Sequence, residues 1–127
     1  MPELSTFDYA IVRVVPRVER EEFINAGVIV SCPSQNYLKA LIELNPLRLA
    51  ALDGTLDAEI IKGYLDTIPV ICEGGAAAGL IGRLPQRARF HWLVAPRSTI
   101  IQTSQVHSGL CFDPEQVLTR LLEKMVR

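Results

Sequence analysis

No apolar run in this 127-residue chain approaches the roughly 20 residues that a membrane-spanning helix needs. Residues 1–8 hold no basic patch leading into an apolar stretch, so no export signal is read there. The expectation is a cytoplasmic protein without membrane association. Cysteine is sparse: Cys32, Cys72 and Cys111 stand about forty residues apart and form no C-x-x-C pair, which excludes a disulfide framework and a zinc ribbon. His107 and Cys111 are four apart, but Gly109 lies between them and no second pair supplies the remaining ligands of a tetrahedral site. No metal and no cofactor are expected. Residues 74–79 have the glycine spacing of a phosphate loop, yet Leu80 and Ile81 stand where its Lys and Ser or Thr belong. There is no G-x-G-x-x-G and no G-x-S-x-G elbow.

Acidic residues are missing from one long window. Residues 74–112 contain no Asp or Glu, but include Arg83, Arg87, Arg89, Arg97, His91 and His107. Across the chain, ten Arg and three Lys oppose fourteen acids for a net charge of −1, which excludes a generally basic nucleic-acid coat. The asymmetry is internal: residues 1–82 carry a net −5 and residues 83–127 a net +4. Either the acids of the first part neutralise these arginines in three dimensions, or the arginines serve a ligand.

What is present suits one domain over residues 1–127. With 49% hydrophobic and 21% charged residues, the chain can bury a core without disulfide or metal staples. Residues 7–15 alternate, with Phe7, Tyr9, Ile11, Arg13 and Val15 on one face and Asp8, Ala10, Val12 and Val14 on the other. Both faces are mostly apolar, which predicts a central strand ended by Pro16, with Arg13 as an exception to be explained. A charged turn over residues 17–25 precedes a second strand around Val28, Ile29 and Val30, where Gly27 predicts a bulge or a close approach. A turn over residues 33–36 joins it to a third strand over residues 37–44.

Two helices follow. Pro46 opens the first, residues 45–52; Asp57 caps the second, with Ile60, Ile61, Tyr64, Leu65 and Ile68 inward and Pro69 marking or kinking its end. Residues 74–82 read as a flexible connector. Pro85 begins a helix that must stop before Pro96. Residues 99–106 are expected to form a half-exposed fourth strand at a sheet edge, with His107, Ser108 and Gly109 in the loop after it. Asp113, Pro114 and Gln116 open a final helix whose stripe Val117, Leu118, Leu121, Leu122, Met125 and Val126 serves a sheet or a twin chain. The fold class predicted is α+β: a largely antiparallel four-stranded sheet with helices packed mainly on one face.

For chemistry, arginine's planar fork binds carboxylate or phosphate through two parallel bonds. Arg13, Arg17, Arg89 and Arg97, with Ser98, are the candidate ligand-binding residues for an anion. His91 and His107 are the candidate catalytic acid or base, although no signature assigns a reaction to them. Phe90 and Trp92 among arginines leave a nucleic-acid module open as well.

Three phrases are distinctive: E-F-x-N-x-G-V at residues 22–28, W-L-x-A-P-R-S-T at residues 92–99 and V-H-x-G-L at residues 106–110. Together with the surrounding segments 9–33, 89–110 and 113–122, they resemble a family of small bacterial proteins, domain of unknown function three thousand and thirty-seven. The resemblance spans nearly the whole chain and brings no established reaction. It implies a partner role beside a HipA-like kinase and identifies no binding residue. The functional expectation is a non-enzymatic binding or adaptor protein that recognises a protein partner or an anionic ligand through an Arg/His-rich surface. A small enzyme acting on a phosphorylated or nucleic-acid substrate and a nucleic-acid-binding module are the alternatives.

Overall fold

A computed structural model describes residues 3–127; Met1 and Pro2, the head of the stretch read for an export signal, lie outside them. Strand β1 (Ser5–Val14) is central in an antiparallel sheet, with β2 (Ile24–Cys32) on one side and β3 (Tyr37–Ile42) beyond it. A tight turn at Pro33–Gln35, closed by Asn36 in the left-handed region, makes the β2–β3 hairpin. Register between β1 and β2 shifts after Val12, which faces Gly27, so that Arg13 faces Asn25 and Ala26 is the extra residue. A bulge of this kind flips side-chain phase. Ala26 accordingly joins Ile29 in the core on one face of the sheet, while Val28 and Val30 join the core on the other. At Gly27 a Cβ would lie 2.6 Å from Ile42 Cδ1 and 2.7 Å from the Leu41 carbonyl, so β3 crosses too closely for any side chain.

Helix α1 (Pro46–Leu52) starts where the Asn45 side chain accepts from the amides of Leu47 and Arg48. Helix α2 (Ala58–Glu73) is capped by Asp57 and buries Ile61, Leu65, Ile68, Ile71 and Cys72. Pro69 does not end it; the burial of Ile71 and Cys72 carries the helix on to Glu73. Ile60 and Tyr64, expected inward, are 55% and 56% exposed, because one sheet face accepts a narrower stripe than the apolar residues of α2 could fill. The glycine segment after α2 is a compact piece rather than a slack connector. It holds two 3₁₀ turns, Ala76–Ala78 and Ile81–Arg83, closed by a bond from the Gly75 amide to the Gly82 carbonyl. Helix α3 (Gln86–Val94) follows.

The remaining edge of β1 carries two strands in line: β4 (Ile101–Thr103) against Val12–Val14, and β5 (His107–Cys111) against Ser5–Tyr9. The sheet thus has five strands where the sequence predicts four, and His107, Ser108 and Gly109 lie in a strand rather than a loop. The cause is Ser104. Its amide donates to the Ile11 carbonyl and its hydroxyl accepts from the Ile11 amide, so a side chain replaces main chain in the ladder and the strand breaks there. Helix α4 (Pro114–Leu121), capped by Asp113, widens into a π turn at Leu122–Val126. Helices α1–α3 cover one face of the sheet, and α4 covers the other, burying Val117, Leu118, Leu122 and Val126 against Phe7, Ile11, Val28 and Val30. Each large side chain buried in these cores contributes about 1.5–3 kcal/mol. The fold is α+β.

Candidate functional site

Alternation in β1 sends Arg13 to the face shared by Phe7 and Ile11, at the end where α4 no longer covers the sheet. The bulge beside it turns the start of β2 so that the Phe23 ring lies under Arg13, with the guanidinium carbon 4.1 Å from the ring centroid. This contact holds the cation by its flat face and leaves its edges unused. No described carboxylate lies within ion-pair distance of Arg13, and its Nε is buried without a hydrogen-bond partner. The Oδ1 atom of Asn25, its cross-strand neighbour, is likewise buried and unpartnered. Among the described residues, the two Nη groups of Arg13 also find no hydrogen-bond acceptor.

Those groups belong to a recess of about 350 Å³ whose wall also includes Phe23, Arg97, Ser98 and Gln102. Arg97 reaches it because Pro96 ends α3 and the chain curls back. The Arg97 Nη1 and Nη2 groups donate to the carbonyls of Leu93 (2.9 Å) and Trp92 (2.6 Å), and the guanidinium lies 4.5 Å from the Trp92 ring centroid. A cation at this position also opposes the negative end of the helix. Gln102 braces the loop by donating to the Thr99 carbonyl. The acid on the wall is Glu21, held in the left-handed region and exposed. Arg13 and the Ser98 hydroxyl therefore supply the donors of this space, while Arg97, its Nη1 and Nη2 donating to main-chain carbonyls, adds positive charge to the wall; such a combination suits an anion.

Of the five predicted ligand-binding residues, Arg13, Arg97 and Ser98 come together here. Arg17 lines an adjoining recess with Arg20, and approaches Asp53 at 3.6 Å. Arg89 stands apart, and each of its three guanidinium nitrogens is engaged. It donates to the carbonyls of Ile71 (2.9 Å), Leu84 (2.7 Å) and Cys72 (3.2 Å), clamping the end of α2 to the loop that follows. His91 and His107 do not meet. His107 packs tilted against Tyr9, ring centroids 5.4 Å apart, on the α4 face, while His91 is exposed on α3, across the sheet. Neither lines the recess. Burial pushes the Cys72 thiol up to about 12, which makes it inert. Among the described residues, no three His, Cys, Asp or Glu side chains gather as a metal site.

Residues 9–126 match the family described as Protein of unknown function (DUF3037). The chain belongs to that family. No curated protein and no solved structure matches it. The DUF3037 match includes every residue of the recess, and its description assigns no reaction.

A second polar group in this DUF3037 chain escapes the sequence reading. Asp8 faces Ser31 on one side and Ser108 on the other, three residues in a row across the sheet. Its carboxylate accepts from Ser108 Oγ and from Arg87 Nη2, each at 2.5 Å, and Arg87 Nη1 donates to Ser31 Oγ at 2.8 Å. Burial pushes the Asp8 carboxyl up, but the bonds from Ser108 and Arg87 and the charges of Arg87 and His91 outweigh it, and its pKa falls below the ordinary value. An aspartate so held is a poor base. The group is closed on itself and fastens α3 to the sheet. The signal that could have found it is Asp8 itself, a charge on the face of Ala10, Val12 and Val14, which demands a buried partner.

Proposed function

We propose that this protein works by binding, and that the recess between Arg13 and Arg97 takes an anionic group, a carboxylate or a phosphate, carried by its ligand or partner. The observation that supports this is Arg13. A guanidinium held on an aromatic ring, without a counter-carboxylate and with Arg97 and Ser98 beside it, is a pre-oriented donor without an acceptor. A protein partner presenting such a group fits the same role, and a HipA-like kinase is one to try.

The test is a nuclear magnetic resonance titration with inorganic phosphate and with acetate. Saturable shifts are expected at the Arg13 side-chain NεH and the amides of Ser98 and Gln102, weakening as salt is added. They should vanish in Arg13→Gln. Unsaturable shifts, or the same response in Arg13→Gln, would overturn the assignment.

A further inference from the structure

Strand β4 is an edge: it pairs with β1, and no described strand pairs with its other side. The bonds from the Val15 amide to the Ile100 carbonyl and from the Ser104 amide to the Ile11 carbonyl fix the phase of this ladder. In an antiparallel pair, Gln102 then spends its main-chain groups on β1, and those of Ile101 and Thr103 turn outward. The Ile101 carbonyl takes the Thr99 hydroxyl at 2.8 Å. The Ile101 amide and both main-chain groups of Thr103 remain for an added strand.

The two sides of this edge differ in chemistry. Toward the helices, Ile101 and Thr103 border a mainly apolar groove of about 220 Å³ with Tyr64 and Ile68 from α2 and Trp92 from α3. Tyr64 and Trp92 are large aromatics left in solvent at its mouth. On the opposite side, Gln102 borders the recess of Arg13 and Arg97. Arg97 lines both. Alternate side chains of a strand point to opposite sides of a sheet, so a strand added to β4 inherits this division.

We infer that β4 docks an extended segment of a partner protein whose side chains alternate apolar and acidic, the apolar ones entering the Tyr64–Trp92 groove and the acidic ones meeting Arg13 and Arg97. This rests on the recess being an anion site. Charge complementarity decides the occupant. Residues 74–112 contain no acid, so β4 of a second copy would offer Ile101, Gln102 and Thr103 and no carboxylate for the recess. A free phosphate fills the recess and leaves the groove open.

Trp92 is the single tryptophan, so its fluorescence reports on the groove. The probe is a peptide capped at both ends, Val-Glu-Phe-Glu-Val-Glu, compared with its Gln analogue, with a form N-methylated on alternate amides, and with inorganic phosphate. We expect a saturable blue shift of Trp92 with the Glu peptide. Affinity should fall at least about tenfold, or 1.4 kcal/mol, for the Gln analogue, for the N-methylated form, and for Tyr64→Ser and Arg13→Gln. Phosphate binding without peptide binding would overturn this inference and leave the recess assignment standing; if neither binds, both fall. Equal binding of the Glu and Gln peptides would also overturn it. So would a concentration-dependent dimer that Thr103→Pro disperses, which would give the edge to a second copy.

Discussion

Arg89 and Arg13 are the same residue in opposite circumstances. Every edge of the Arg89 guanidinium meets a carbonyl of Ile71, Cys72 or Leu84, whereas Arg13 rests its face on Phe23 and keeps its edges for something else. Both held the same standing in the sequence, as candidate anion-binding arginines. What separates them is the acceptor each finds, and a chain end such as that of α2 offers carbonyls wherever it stops. An arginine near a helix end is therefore a structural clamp until its donors are shown to be unspent.

The comparison breaks most readily at Arg89. Arg89→Met should cost about 2–3 kcal/mol in urea unfolding, since it strips charge-assisted bonds from three carbonyls, while phosphate titration stays unchanged. Next is Asp8→Ala, which leaves Arg87 and Ser108 without their shared acceptor and should cost about 1–2 kcal/mol at neutral pH. Because the folded-state pKa of Asp8 is depressed, its contribution is present above the unfolded value of about 3.9 and is lost as pH falls through the folded value. Unfolding curves of the wild type and Asp8→Asn should therefore converge on acidification below about pH 4. Arg13→Gln gives up one cation–π contact, so its loss of stability should stay under about 1 kcal/mol although the anion response disappears. Smallest is Glu22→Gln, which removes the exposed partner of Arg20 and should leave the melting temperature unchanged.

Much of the fold was legible because local rules and tertiary demands agree. The alternation from Phe7 to Val15 placed β1 at the centre and marked Arg13 as the exception, and Pro46, Asp57 and Asp113 announced three helix starts, the first of which is capped by Asn45. Gly27 signalled both the bulge and the close passage of β3. Other features were hidden for physical reasons. The outward turn of Ile60 and Tyr64 depends on how wide a stripe the sheet accepts, which α2 alone does not encode. The splitting of the last edge depends on one serine hydroxyl meeting one amide 93 positions away. In the candidate site, Arg13, Arg97 and Ser98 were named together with Arg17 and Arg89, and the placing of Arg89 elsewhere follows from a clamp that no spacing rule predicts.

The Ser104 stitch also bears on how this protein behaves when crowded. Residues 101–111 as one uninterrupted strand would present a long unpaired edge, the template from which edge-to-edge stacking and fibrils grow. Diverting the Ile11 amide to a side-chain oxygen interrupts that edge, leaving β4 with three residues and β5 with five. A docking segment needs only a few residues of register, whereas a growing stack needs a continuous one. A single hydroxyl thereby shortens the margin along which such a stack could grow.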